Sequence, residues 1–140
     1  MGTYRQITCK QCGYTVKVKQ GPSMHMFGEM MQQQQVILDN KDQYPEAAYY
    51  LEHDGKMGCA GVYLCSVCKE FRDLDLIYIM KDYYAHSFDS TEEEAMYPFE
   101  KPYCSVCGTE MKFVFDLEAE NIRCPKCDGE IEAPICLWFD

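Results

Sequence analysis

Cysteines are the residues of this chain with the most definite chemistry. Ten of them occur among 140 residues, and eight form four Cys-x-x-Cys pairs. Such a pair places two thiolates on one side of a tight loop, and two pairs complete a tetrahedron around one metal ion. The chain therefore contains the ligands for two metal centres, which are Cys9, Cys12, Cys65, Cys68, Cys104, Cys107, Cys124 and Cys127.

The spacing of the pairs predicts which of them share an ion. Sixteen residues separate Cys107 from Cys124, and linkers of about 15 to 20 residues are typical of zinc sites. We therefore expect one centre from the last two pairs and one from the first two, although 52 residues separate Cys12 from Cys65. The cost of closing a loop grows only logarithmically with its length, so this insertion is tolerable. The alternative is a cross-brace, in which the first and third pairs share one ion and the second and fourth share the other.

The residue after each second cysteine has to follow a tight turn. Gly13 and Gly108 hold this position in the first and third pairs, and glycine accepts the positive φ angle that the turn requires. Lys69 and Asp128 hold it in the other two pairs. Aspartate tolerates such a backbone better than lysine does.

The predicted centres favour a structural role. Four protein ligands leave no open position for water, so catalysis at the metal is not expected and no catalytic residue is predicted. Thiolate sites bind zinc or iron, and two Zn²⁺ ions are the predicted cofactors, with iron as the alternative. Cys59 and Cys136 have no Cys-x-x-Cys partner and are interpreted as small buried side chains. A reactive Cys59 beside His25 or His53 is the alternative.

The segments between the pairs predict the elements that position them. Residues 3–19 predict two strands around the first cysteine turn. A helical insertion follows over about 21–58, where apolar residues at 24, 27, 31 and 38 form one stripe and a second helix covers 45–53. Strands then flank the Cys65 and Cys68 turn. The run 76–80 is apolar on both faces, so we expect it to be covered on both sides.

An acidic linker at 85–97 is predicted to divide the chain. Ser90 starts a capping box with Glu93 there, and a phosphorylation site at Ser90 is the alternative interpretation. The linker separates residues 1–84 from residues 98–140, where strands again flank cysteine pairs. The predicted fold is a small metal-stabilised α+β protein with two antiparallel β units, the first of which carries the helical insertion.

Each unit resembles the zinc-ribbon or rubredoxin-like family, in which two cysteine knuckles at the tips of β-hairpins clamp one ion. The resemblance covers residues 3–19 and 59–80 in the first unit and 99–139 in the second. The layout of the chain is similar to that of small double zinc-ribbon proteins of bacteria, which implies no activity. Residues 9–14 look like the first knuckle of rubredoxins and residues 124–127 like the second. Because these halves fall in different predicted centres, zinc is favoured over iron.

Charge and hydropathy restrict the partners. The formal net charge of −10 disfavours a general nucleic-acid binder, since phosphate affinity comes mainly from lysine and arginine. The N-terminal hairpin is the basic patch of the sequence, and its candidate phosphate contacts are Arg5, Lys10, Lys17 and Lys19. No apolar segment approaches the roughly 18 residues that span a membrane. Cysteine pairs without a signal peptide predict a reducing cytoplasm.

The favoured function is that of a structural zinc protein that binds another protein or serves as an accessory subunit. The insertion supplies methionines that form either a binding face or a helix core. Tyrosines form either a partner interface or the rims of small cores, and these are Tyr44, Tyr49, Tyr50, Tyr83 and Tyr84. The alternatives are a nucleic-acid-associated accessory protein that uses the basic hairpin and a rubredoxin-like iron protein that transfers electrons.

Overall fold

A computed structural model describes residues 2–20, 24–81, 96–114, 117 and 122–139. Its described part is a small α+β fold of two helices and mostly antiparallel strands, as predicted. The elements in chain order are β1 Gly2–Cys9, β2 Thr15–Gln20, α1 Met24–Asp39, α2 Pro45–Glu52, β3 Lys56–Gly58, β4 Gly61–Cys65, β5 Glu70–Leu74, β6 Tyr78–Met80, β7 Met96–Pro98, β8 Lys112–Phe113, β9 Ile131–Glu132 and β10 Ile135–Phe139.

The first sheet joins the two ends of the described chain. β1 pairs with β2 in a hairpin, and its other edge pairs with β9 and β10. Ile7 lies opposite Val16 in the hairpin, and Arg5 lies opposite Val18. Ile7 and Val18 are buried in one core cluster with Val62, Phe71 and Val114, so this core spans residues that are far apart in the sequence.

Two further sheets also join distant segments. β4 and β5 form a hairpin, and β8 pairs with the other edge of β4. β6 pairs with β3 on one side and with β7 on the other. Two of the three sheets therefore combine strands from before and after the segment predicted to be a linker, and β7 of the third sheet begins inside that segment. Residues 85–95 of that segment, with Ser90, lie outside the described residues, and the division into two domains stays a prediction.

Helix α1 is confirmed, but residues 27 and 31 of its apolar stripe do not lie on its buried face. Met26, Met30 and Ile37 are buried, whereas Phe27 and Met31 of the predicted stripe are 50% and 45% exposed. Apolar residues lie on both sides of this helix, so periodicity alone does not select the buried face. Met26 and Met30 face the protein because they pack against Cys59.

Helix α2 begins at Pro45 as predicted and ends one residue before the predicted limit. Ala47 and Ala48 form its buried face. The Tyr50 carbonyl accepts hydrogen bonds from the backbone N–H groups of His53 and Gly55 at 3.2 and 2.7 Å, which terminates the helix.

The apolar run around β6 is covered on both sides, which confirms that prediction. Ile79 is fully buried in a cluster with Ile37, Ala47 and Ala48 of the helices. Tyr78 packs into a different cluster with Tyr63 and Phe113. The insertion therefore covers one face of β6, and strands near the cysteine knuckles cover the other.

Candidate metal centres

The eight paired cysteines form two sets of four, and the sulfur atoms within each set lie within 4.8 Å of one another. Cys9 and Cys12 meet Cys124 and Cys127 in what we call the outer centre. Cys65 and Cys68 meet Cys104 and Cys107 in what we call the inner centre. The expected sequential pairing is wrong, and so is the cross-brace alternative. The first pair joins the fourth and the second joins the third, so one centre is nested within the other.

Strand pairing across the sequence explains this nesting. Cys9 lies opposite Ile131 in the pairing of β1 with β9, and Lys10 N–H donates to the Glu130 carbonyl at 3.0 Å. These contacts bring the fourth knuckle to the first. In the same way, the pairing of β4 with β8 brings the third knuckle to the second.

A sequence signal for this pairing exists in the residues between the cysteines. Both inner knuckles have the sequence Cys-Ser-Val-Cys, whereas each outer knuckle carries a lysine, Lys10 or Lys126. The spacing rule for zinc sites considers only the distance between cysteine pairs, so it makes no use of the identical sequences of the two inner knuckles.

The geometry of both sets fits a tetrahedral ion. In the outer centre, Sγ–Sγ distances are 3.4 Å between Cys9 and Cys127 and 3.7 Å between Cys12 and Cys124. A zinc–sulfur bond of about 2.3 Å gives tetrahedral edges of about 3.8 Å. These separations exceed the roughly 2.05 Å of a disulfide bond. All four outer cysteines are free thiols.

The inner centre has the same spacing. Its Sγ–Sγ distances are 3.5 Å between Cys65 and Cys107 and 3.9 Å between Cys68 and Cys104. The chemistry of the donors and their separations therefore fits one metal ion in each centre.

The four knuckles share one backbone conformation, which confirms the prediction about their turns. The φ angles after the second cysteines are +81° at Gly13, +56° at Lys69, +76° at Gly108 and +63° at Asp128. This turn directs backbone N–H groups at the first sulfur of the pair. Cys9 Sγ accepts from the N–H groups of Gln11 and Cys12 at 3.3 and 3.4 Å.

Because of these hydrogen bonds, the thiols within one centre differ in pKa. The Cys12 N–H is the main cause that lowers the pKa of Cys9 to about 6, and the Cys107 N–H does the same for Cys104. In the other two pairs, contact with a neighbouring cysteine raises the pKa of a thiol. Contact with Cys9 raises the pKa of Cys127 to about 12. Similarly, contact with Cys107 raises the pKa of Cys68 to about 11. Each metal-free centre therefore favours mixed protonation, and an ion has to displace protons.

Arg72, which was not among the predicted site residues, places a positive charge beside the inner centre. Hydrogen bonds with the sulfur atoms of Cys68 and Cys104 raise the pKa of Arg72. Four thiolates leave a divalent site with two negative charges, so the guanidinium balances part of that charge. Its place four residues after Cys68 and two after Glu70 on β5 is the only sequence signal for it.

The predicted phosphate contacts engage groups of their own chain. Arg5 Nη1 donates to the Ala133 carbonyl at 2.7 Å, and Lys19 Nζ pairs with Asp75 Oδ1 at 2.6 Å. The remaining two have weaker contacts: Lys10 Nζ lies 3.5 Å from Glu130 Oε1, and Lys17 Nζ lies 4.9 Å from the centre of the Tyr4 ring. Phosphate binding by this hairpin stays a prediction.

The unpaired cysteines differ from each other. Cys59 is fully buried beside Met26 and Met30, as the interpretation of a small core residue requires. Cys136 is exposed, contrary to that interpretation, and its Sγ lies 3.4 Å from the Tyr4 carbonyl oxygen. The His53 ring stacks on Tyr49 at a centroid distance of 4.2 Å. The His25 side chain and His86 lie outside the described residues.

The two cysteine sets fit a zinc-ribbon-like layout. In comparisons with known proteins, no family model, no curated protein and no solved structure matches this chain. Neither described helix has the length and apolar character needed to cross a bilayer. The chemistry of the cysteine sets, which can hold two metal ions, is therefore the basis for assigning a function.

Proposed function

We propose that this protein is an interaction module whose fold is stabilised by two structural zinc ions. The observation that carries the proposal is the pair of four-sulfur clusters, because each offers the ligand set and spacing of a tetrahedral thiolate site. Four protein ligands close the coordination shell. The ions then contribute folding free energy and no open position for substrate.

The insertion supplies the surface for a partner protein. Phe27 and Met31 are four residues apart on α1, so they share one helical face, and both are about half exposed. Tyr49 on α2 is 56% exposed. By contrast, Tyr44 and Tyr50 pack against the core around Ile79, as rim residues do. Exposed aromatic and methionine side chains are typical of adaptable protein-binding surfaces.

Metal analysis of the purified protein tests the structural role. We expect two zinc ions per chain, no visible absorbance and a lower unfolding temperature after chelation. Cys12→Ser should reduce the metal content to one ion. Cys136→Ser is the matched control, because this cysteine is also exposed but lies outside both centres, and it should retain two. Fewer than two ions in the native protein, or loss of an ion in the control, would contradict the assignment.

The interaction surface is tested by cross-linking in the native cell. Phe27→Ser combined with Met31→Ser should abolish a specific cross-linked partner while leaving the metal content unchanged. The control replaces Val67 and Val106, which are 62% and 70% exposed at the inner knuckles, by serine. Equal cross-linking by the native protein and the α1 variant would exclude this face.

One observation favours an iron centre as a second candidate. The outer centre brings residues 9–14 together with residues 124–127, the two segments that resemble the knuckles of rubredoxins. The earlier reason to prefer zinc, that these segments belong to different centres, is therefore wrong. N–H groups of Cys12 and Lys126 donate to the sulfurs of Cys9 and Cys124 at 3.4 Å, and such bonds tune the potential of an iron–thiolate site. One iron and one zinc per chain, with visible absorbance, would support electron transfer.

A further inference from the structure

Lys126 contacts both metal centres. It lies between Cys124 and Cys127 of the outer centre, and its backbone N–H donates to Cys124 Sγ at 3.4 Å. Its side chain extends to the inner centre, where Nζ donates to the Cys68 carbonyl oxygen at 3.3 Å. A single residue thus links the ligand loop of one centre to that of the other.

Glu70 anchors this lysine at the inner centre. Lys126 Nζ lies 3.0 Å from Glu70 Oε1, and the two side chains are 38% and 30% exposed. Glu70 follows Cys68 by two residues and lies opposite Cys65 in the pairing of β4 with β5. Its backbone position therefore depends on both cysteines of this knuckle.

Tyr14 connects Glu70 to the remaining knuckle of the outer centre. Its hydroxyl donates to Glu70 Oε2 at 2.6 Å and accepts a hydrogen bond from the Phe71 N–H at 3.2 Å. Its carbonyl accepts a hydrogen bond from the Cys9 N–H at 2.8 Å. Lys126 Nζ also lies 5.7 Å from the centre of the Tyr14 ring. Both outer knuckles therefore meet at one inner carboxylate.

We propose that Tyr14, Glu70 and Lys126 couple the two centres, so that an ion in one raises the affinity of the other. An ion fixes the knuckles that it binds, and the three side chains pass this order to a knuckle of the neighbouring centre. When one centre is empty, an ion that binds the other centre also has to order these three side chains, and this ordering reduces its binding free energy. The effect is reciprocal by thermodynamic linkage. This inference rests on the proposed metal binding of both cysteine sets.

Cadmium titration of the metal-free protein measures the coupling. Native mass spectrometry gives the populations with no, one and two ions, and cadmium NMR distinguishes which centre is filled. The coupling factor is the product of the empty and doubly filled populations divided by the product of the two singly filled ones. Independent centres give a factor of one whatever their individual affinities. We expect at least about fivefold coupling in the native protein.

Two glutamates provide a matched comparison. Glu70→Ala removes the contacts with Tyr14 and Lys126, so the factor should fall close to one. Glu130→Ala makes the same chemical change beside the outer centre only, where Glu130 contacts Lys10, and should keep the native factor. If Glu70→Ala does not fold, Tyr14→Phe removes only the hydroxyl and should still lower the factor.

The outcomes separate this inference from the proposed function. A factor of one in the native protein, or an unchanged factor in Glu70→Ala or Tyr14→Phe, would overturn the coupling even when both centres fill. An equal fall in Glu130→Ala would overturn it as well, because the effect would then not depend on the bridge. Failure to bind two ions would instead refute the metal assignment itself.

Discussion

The outer and inner centres use the same knuckle but hold different parts of the chain together. Facing outer cysteines are 112 and 118 positions apart, whereas facing inner cysteines are 36 and 42 apart. The longer loops cost about 1 kcal/mol more to close, because the closure entropy grows with the logarithm of length. Sequence distance therefore does little to decide which knuckles meet.

The surroundings of the two centres differ more than their loops. Cys65 and Cys104 of the inner centre belong to a core cluster with Tyr63, Met111 and Phe113. The outer centre instead lies at one end of the sheet that joins the chain ends, where Cys9 is the last residue of β1 and lies opposite Ile131 of β9. The inner centre is thus part of a core, while the outer centre lies at the end of a sheet.

Losing one centre at a time should give the largest contrast. Cys104→Ser and Cys124→Ser should each bind a single ion and lose much of a binding free energy of about 10–16 kcal/mol. Hydrogen exchange should rise across β4, β6 and β8 in Cys104→Ser. In Cys124→Ser it should rise mainly in β9 and β10. The same exchange pattern in both variants would remove the distinction between the core and the end of the sheet.

Acid should release both ions, the outer one first. Metal ligands are deprotonated, and the pKa values of Cys127 and Cys68 are raised to about 12 and about 11, so protons compete more strongly as the pH falls. Arg72 opposes protonation at the inner sulfurs. Ion release from Cys124→Ser, which keeps the inner centre, should therefore require lower pH than release from Cys104→Ser.

The role of Arg72 in this difference can be tested directly. Arg72→Gln in the Cys124→Ser background should raise the pH of release toward that of the outer centre.

For the metal-free fold, the lowered pKa of Cys9, about 6 against 9.0 for the unperturbed thiol, stabilises the protein above pH 9. This contribution is lost as the pH falls through about 6.

Equivalent residues of the fourth and third knuckles should respond differently to alanine. A Cβ at Gly129 would lie 2.9 Å from Gln11 Cβ and 3.1 Å from Cys127 Sγ. Gly129→Ala should therefore lower stability by about 1–3 kcal/mol through overpacking and weaken outer-ion binding. Thr109→Ala removes the hydroxyl that lies 3.3 Å from Cys107 Sγ and should cost about 1 kcal/mol. Thermal unfolding with metal titration measures both effects.

The smallest contrast concerns the residue after the second cysteine. Gly108→Ala places a side chain at φ +76°, where the added Cβ meets no atom within 4 Å, so only backbone strain of about 1 kcal/mol is expected. Lys69→Gly relieves the same strain at φ +56° and should raise stability by less than about 1 kcal/mol. Opposite signs in denaturant unfolding would confirm the shared turn, and a loss of stability in Lys69→Gly would contradict it.

Local chemistry could be predicted from the sequence, whereas the spacing of the cysteine pairs did not predict which knuckles meet. The cysteine turns, the positive φ at Gly13 and the start of α2 at Pro45 each depend on a few consecutive residues. The nesting depends on β1 pairing with β9 and β10, and short strands carry little information about their partners. The buried face of α1 likewise depends on Cys59, which lies far away in sequence.

The nested arrangement also sets the order in which the ligands become available during synthesis. Cys9 and Cys12 leave the ribosome first, yet Cys124 lies 112 positions after Cys12. At about 5–20 residues per second, they wait on the order of 10 seconds for their partners. The inner set is complete earlier, at Cys107. The ligand set that contains the first knuckle made is therefore the last to become complete.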